Sequence, residues 1–301
     1  MTAAWQRIRE MFRGTFTALV TPFRADGTLD EDGLVRLLER QLQSGVQGVV
    51  LCGTTGEEAS LTLEERKRVV EIVQKRTEGH IYTVASASDN NTERAVKLAR
   101  EMDWLGVDAI LSVVPYFIQP NQAGIVEHFR RIADAVQTPL ILSNAPGRAG
   151  AGLEADTVAL LAEHENIRGI DESSGDFDFL SNILAATDEE FGVFAGEDTL
   201  TLPMIALGAD GAFSLVSNEV PGKMSALVDR ALEGRVADAR DLHYELFDLM
   251  TINYVDRNPI PVKAALAMLG LIEENYRLPL LPIDDEKREQ IKEALVALDL
   301  I

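Results

Sequence analysis

The feature that most constrains this chain is an alternation that runs eight times. A short apolar run is followed each time by a stretch whose apolar residues recur at three- and four-residue spacing. The short runs are Thr15–Val20, Gly48–Leu51, Ile81–Ala85, Ala109–Val113, Leu140–Ser143, Ile167–Asp171, Gly192–Ala195 and Gly211–Leu215. Between them, sets such as Leu34, Leu37 and Leu38, or Val96, Leu98 and Ala99, carry a helical period. Thr62, with Glu65 three positions on, predicts a capping box at the start of one such helix. Strands that alternate with helices run parallel, because each helix returns the chain to the same edge of the sheet. Eight such units in about 220 residues suit a closed α/β (β/α)8 TIM barrel. An open doubly wound sheet is expected to show a glycine-rich fingerprint after its first strand. Here that loop reads TPFRADG, so the closed barrel is preferred.

The pattern after Leu215 is mostly helical and longer than one closing helix needs. We therefore expect residues 1–220 to form the barrel. Residues 221–301 would supply its last helix and a C-terminal helical extension of about three helices, one starting in NPIPVKAALAMLG, all within a single structural unit.

Charge narrows the partners. With 49 acidic against 28 basic residues the net charge is −21, which repels nucleic acid and anionic membranes. The basic residues are skewed, 7 lysines against 21 arginines, as a salt-adapted or GC-rich source would produce. No apolar stretch approaches the roughly 20 residues of a membrane helix. The N-terminal MTAAWQRIREMFRG is charged throughout and has no signal-type apolar core. A single cysteine, Cys52, excludes an intrachain disulfide. The expectation is a cytoplasmic protein with no cofactor and no resident metal.

In a barrel of this kind the site is built from the loops that follow the strands. GTTGEE after the second strand puts Thr54 and Thr55 between glycines. It is either a seat for a carboxylate or small phosphate or simply a tight strand-to-helix turn. NAPGRAG after the fifth mounts Arg148 in a stiff loop, either as a bidentate carboxylate anchor or as a partner for one of the many acids. PYF after the fourth offers Tyr116 and Phe117, as a proton relay or as packing at the mouth or against a subunit. Gly196 opens GED after the seventh and joins Thr54, Thr55 and Arg148 as a ligand-binding candidate. Asp171 ends the sixth strand in IRGIDESSGD. No histidine of the four (His80, His128, His164, His243) falls at a strand end to activate Cys52, which reads as a buried thiol.

Taken together, GTTGEEASLTLEE, DNNTERAVKLA, VVPYFIQPNQAGIVEHF, NAPGRAG, GIDESSGD, GADGAFSLVSN and NPIPVKAAL resemble, in order, the dihydrodipicolinate synthase / N-acetylneuraminate lyase family of (β/α)8 proteins. The resemblance covers nearly the whole chain, from about Gly14 to Gly270. It implies Schiff-base aldol chemistry on pyruvate or another 2-oxo acid: a lysine at the end of strand six, a tyrosine relay after strand five, a second tyrosine lent by a neighbouring subunit, and an arginine for a substrate carboxylate. Thr54, Thr55 and Arg148 match that pattern. The lysine position holds Asp171, the strand-five tyrosine position holds Ser143, and the second aromatic of PYF is Phe117. Phe213 replaces a usual aliphatic in the strand-eight motif. The family also implies a homo-oligomer, dimer or tetramer, with Tyr116 and Phe117 at the tight contact.

An imine needs a primary amine, and an aspartate offers none. The lysines at 67, 75, 97, 223, 263, 287 and 292 all fall outside the strand runs. The resulting expectation is a protein that binds a small 2-oxo or hydroxy acid without Schiff-base chemistry. Its alternative is a lyase, aldolase, synthase or hydratase of the same family working by another mechanism, with catalytic candidates Asp171, Ser143 and Thr54. In that case Asp171 acts as a general base with its pKa raised by burial beside Glu172 or Glu197, or as a metal ligand with Glu197 and Asp198.

Overall fold

The computed structural model describes residues 12–301; most of the charged N-terminal stretch read above, residues 1–11, lies outside them. The eight strands are β1 (Gly14–Ala18), β2 (Gly48–Leu51), β3 (Tyr82–Ser86), β4 (Ala109–Val113), β5 (Leu140–Asn144), β6 (Ile167–Glu172), β7 (Gly192–Ala195) and β8 (Gly211–Ser214). Each pairs in parallel with the next, and β8 closes on β1 through Thr15 opposite Ala212 and Phe16 opposite Phe213. One outer helix follows each strand: α1 (Glu31–Leu42), α2 (Leu63–Thr77), α3 (Thr92–Leu105), α4 (Gln122–Ala133), α5 (Ala155–Ala162, after a single helical turn at Pro146–Ala149), α6 (Phe177–Ala186), α7 (Thr201–Leu207) and α8 (Pro221–Leu232). The extension adds α9 (Val236–Ile252), α10 (Ile260–Met268) and α11 (Asp285–Ala297). The predicted capping box at α2 is present. The Thr62 hydroxyl accepts from the Glu65 N–H, while the Glu65 carboxylate accepts from the Thr62 N–H.

Two hydrophobic layers follow from the two periods. Along β4, Ala109 and Leu111 face the barrel axis and Ile110 faces the helices, as alternation along a strand requires. The axial layer is plugged by aromatic rings: Phe194 lies 4.7 Å from Phe213 and 5.6 Å from Phe16, centroid to centroid. Gly48 is needed beside them, because the Phe16 ring occupies the place its Cβ would take. The outer layer buries Leu34, Leu37 and Leu38 of α1 and Val96 and Ala99 of α3; Leu98 stays half-exposed at its edge.

Strand ends differ from the sequence reading where side chains intercept the backbone. β1 begins one residue early and stops at Ala18, and the Val20 N–H is taken by the Asn218 side chain at 3.2 Å. β3 is shifted by one, to Tyr82–Ser86. β8 stops at Ser214 because the Asp198 carboxylate accepts from the next two N–H groups, Leu215 at 3.1 Å and Val216 at 2.8 Å. β5 and β6 each run one residue further, with Asn144 opposite Glu172 and their side chains joined at 2.6 Å.

The extension is tied to the barrel mouth by buried charge. Lys263 of α10, fully buried, donates to Glu57 at 2.5 Å and to the Thr21 carbonyl at 3.1 Å. Arg277 bridges to Glu65 and to the Gly27 carbonyl. Burial lowers the Lys263 ammonium from its ordinary value, against the pull of Glu57.

Candidate functional site

A cavity of about 80 Å3 opens at the carboxyl ends of the strands, large enough for a small organic acid. Thr54, Thr55, Ser143, Arg148, Asp171 and Gly196 all line it, so six residues read from the ends of four strands converge. Tyr116 and Phe117 do not line it. They stand on the outer rim, 39% and 88% exposed, and the Phe117 N–H donates to the Ala149 carbonyl in the next loop. Phe213 is part of the floor through its contact with Phe194.

The GTTGEE turn is sharply bent, with Cys52 and Glu57 both in the left-handed region at φ 53° and 55°. The Thr54 carbonyl accepts from the Glu57 N–H, and the Gly53 carbonyl from the Glu58 N–H. Glu57 is held from below by Lys263. Thr54 is exposed, whereas Thr55 is buried and its hydroxyl accepts from the Asn258 amide at 2.9 Å. Since a hydroxyl has one proton and Asn258 uses a lone pair, the Thr55 proton remains for another acceptor. Cys52 lies beneath the turn, 1% exposed, and burial pushes its thiol up to about 12. It is an inert core residue at neutral pH.

Arg148 sits on a single helical turn, Pro146–Ala149, that follows β5. It is exposed and takes no hydrogen-bond or ion-pair partner among the described residues, so the salt bridge that sequence left open is not formed. Among the described residues that line the cavity it is the one arginine or lysine.

Asp171 faces inward from β6 because its neighbours Ile170 and Glu172 face outward. Glu172 turns away to Asn144 and to the Ser174 N–H. The Asp171 Oδ2 accepts from the Ser143 hydroxyl across the β5–β6 ladder at 2.8 Å. Its Oδ1 is out of solvent and has no donor. Oδ1 and Ser173 Oγ occupy the space a Cβ on Gly196 would need, which is why the β7 loop opens with glycine. Burial raises the Asp171 carboxyl from 3.8 to about 7. Ser143 and Arg148 work to lower it, while Glu172 and Glu197 add to the rise. Burial beside these two acids is the cause expected at this position, and burial is the larger part of it.

The suggested metal trio does not assemble. Asp198 is buried and fully engaged by the Ser214 hydroxyl and two backbone N–H groups, and Glu197 pairs with Tyr254. Among the described residues no three His, Cys, Asp or Glu side chains gather to hold a metal ion. The four histidines lie in or beside helices or before a strand, and none lines the cavity.

Four polar lining residues escaped the sequence reading. Ser86 ends β3, the one strand whose following loop was passed over, and donates to Glu58 at 2.7 Å. Ser173 was visible in DESSGD but carried no chemical signal. Tyr254 and Asn258 come from the α9–α10 connection, far beyond the last strand, where a rule about strand ends does not look. Burial and the nearby Asp198 and Glu197 raise the Tyr254 hydroxyl well above its ordinary range.

Residues 11–298 match the model of the dihydrodipicolinate synthetase family. The 4-hydroxy-tetrahydrodipicolinate synthase of Methanothrix thermoacetophila is 45% identical over 286 residues, 95% of this chain and 96% of that protein. Among solved structures, dihydrodipicolinate synthase from Aquifex aeolicus superposes with a TM-score of 0.94 at 40% identity, over 96% of this chain and 99% of that one. The chloride-inhibited enzyme from Acinetobacter baumannii, complexed with pyruvate, gives 0.95 at 36% identity, over 96% and 100%.

Proposed function

The chain belongs to the dihydrodipicolinate synthetase family, and from that premise we propose that it holds a small 2-oxo or 2-hydroxy acid at the barrel mouth without forming an imine. The observation that carries this is Asp171. A carboxylate, hydrogen-bonded to Ser143, stands in the cavity wall, at the position where the family resemblance implies a lysine. Among the described residues no lysine lines the cavity: Lys263, the buried one, is bound to Glu57 and lies off it. Arg148 and the hydroxyls of Thr54 and Thr55 remain as the carboxylate-binding parts. Pyruvate, the ligand of the Acinetobacter relative, is the natural first probe.

A second reading is favoured by the carboxyl of Asp171 standing near 7. A base so placed is half-ionised at neutral pH, which suits proton abstraction beside a carbonyl or a hydration step. Ser143 would then orient the base. On either reading the exposed Tyr116 and Phe117 serve a contact between copies of the chain, as a dimer or tetramer.

Borohydride reduction in the presence of pyruvate, followed by intact mass, tests the first claim. We expect unchanged mass. A mass increase equal to a reduced pyruvate imine would show that a lysine does the family's chemistry here and would sink the proposal. Arg148→Ala should abolish the thermal stabilisation that a bound 2-oxo or 2-hydroxy acid confers.

A further inference from the structure

We infer that the cavity prefers a small 2-amino acid over the 2-oxo acid of the same carbon skeleton, with the ammonium on Asp171 and the carboxylate towards Arg148 and the Thr54–Thr55 turn. This rests on the reading above, that the mouth holds a small acid without an imine.

On one side of the cavity Asp171 has an Oδ1 with no donor and an Oδ2 with one lone-pair site taken by Ser143. Ser143 has spent its single proton on that bond, so it has none left for a ligand. Beside it Glu197 already takes the Tyr254 hydroxyl. This wall therefore asks for hydrogen-bond donors and positive charge. The Arg148 guanidinium acts through its charge on Asp171 and Glu197 but is hydrogen-bonded to neither, and the Thr55 hydroxyl, accepting from Asn258, keeps its proton to donate. These donors ask for an anion. A 2-amino acid is a zwitterion with one end for the acceptors and one for the donors. A 2-oxo acid would set its carbonyl oxygen, an acceptor, against the Asp171 carboxylate. A 2-hydroxy acid offers one neutral donor and falls between. Where a lysine would meet a carbonyl, an aspartate meets an ammonium.

The protonation of Asp171 gives the inference a signature. The groups that face or flank it are Ser143 from β5, Glu172 and Ser173 from its own strand and loop, Glu197 and Gly196 after β7, Tyr254 from the extension and Arg148 from the β5 loop. The ammonium needs the ionised carboxylate, so amino-acid affinity should rise as pH rises through about 7. The 2-oxo acid is better matched to the protonated carboxyl, so its affinity should fall over the same interval.

Calorimetric titration of the full chain with L-alanine, L-lactate and pyruvate, at about pH 6 and about pH 8, tests this. We expect alanine to bind at least about tenfold tighter than pyruvate at the higher pH, as a charge-assisted pair implies, with the ratio shrinking at the lower. Asp171→Asn should erase that preference while retaining pyruvate binding. If the variant does not fold, the pH series on the unaltered chain decides. Pyruvate binding as tightly as alanine at the higher pH, or a ratio insensitive to pH, overturns the inference and leaves the imine-free reading standing. A borohydride-trapped adduct sinks that reading and, with it, the inference that rests on it. Failure of all three acids to bind overturns both.

Discussion

Replacing Asp171 by asparagine should make the protein more stable at neutral and alkaline pH. Its carboxyl titrates near 7 in the folded chain against 3.8 ordinarily, so between those values the folded state holds a proton that the unfolded state has released. Native stability from this group is therefore full below about pH 4 and is lost as pH rises to about 7, after which the loss is constant. At about 1.4 kcal/mol per pH unit the interval corresponds to about 4 kcal/mol. The side chain keeps partial exposure although its Oδ1 is buried, so solvent screens part of this, and about 2 kcal/mol is the expected gain for Asn at pH 8. Asparagine keeps an acceptor for the Ser143 hydroxyl, so the 2.8 Å bond survives the exchange. For a chain of 301 residues such a gain raises Tm by about 3 °C. Thermal scans of both proteins from about pH 4 to about pH 8 read the difference directly, which should open from near zero to that value. Parallel curves, or a variant less stable at pH 8, would refute the account of Asp171 as a carboxylate ionised against its surroundings.

Lys263→Met leaves Glu57 buried without its cation and should cost about 3–5 kcal/mol in denaturant unfolding. Adding Glu57→Leu to it should recover a large part of that loss. Gly196→Ala forces a methyl into the space of Ser173 Oγ and Asp171 Oδ1. It should cost about 1–3 kcal/mol and remove any ligand-induced rise in Tm. Cys52, with its thiol pushed up to about 12, should resist a thiol-reactive disulfide reagent in the native protein and react fully once urea unfolds it. Rapid labelling of the native chain would mean the turn above it opens.

The architecture was legible because it is written in a local code. Leu34, Leu37 and Leu38, or Ala109 with Leu111, announce which face is buried without reference to any distant residue. The strand-end loops were likewise legible, since parallel strands bring every such loop to one rim. Boundaries slipped by one or two residues where a side chain competed for the backbone, as Asp198 does at Leu215 and Val216 and Asn218 does at Val20. The metal trio failed for the same reason. Of the three acids, Asp198 is spent on Ser214 and two backbone N–H groups and Glu197 on Tyr254, which leaves Asp171 alone.

That position 171 holds an aspartate, and so cannot itself supply an amine, is a fact of sequence alone, as is the eightfold period that dictates a closed barrel. What that aspartate can do was decided only by the tertiary structure. Barrel closure puts Ser143 opposite it, Gly196 over its Oδ1 and low-dielectric walls around it, and it is this burial that moves its carboxyl to about 7. Tyr254 and Asn258 reach the same cavity from an extension that begins only after the last barrel strand. Periodicity is set by neighbours along the chain, whereas an ionisation is set by neighbours in space.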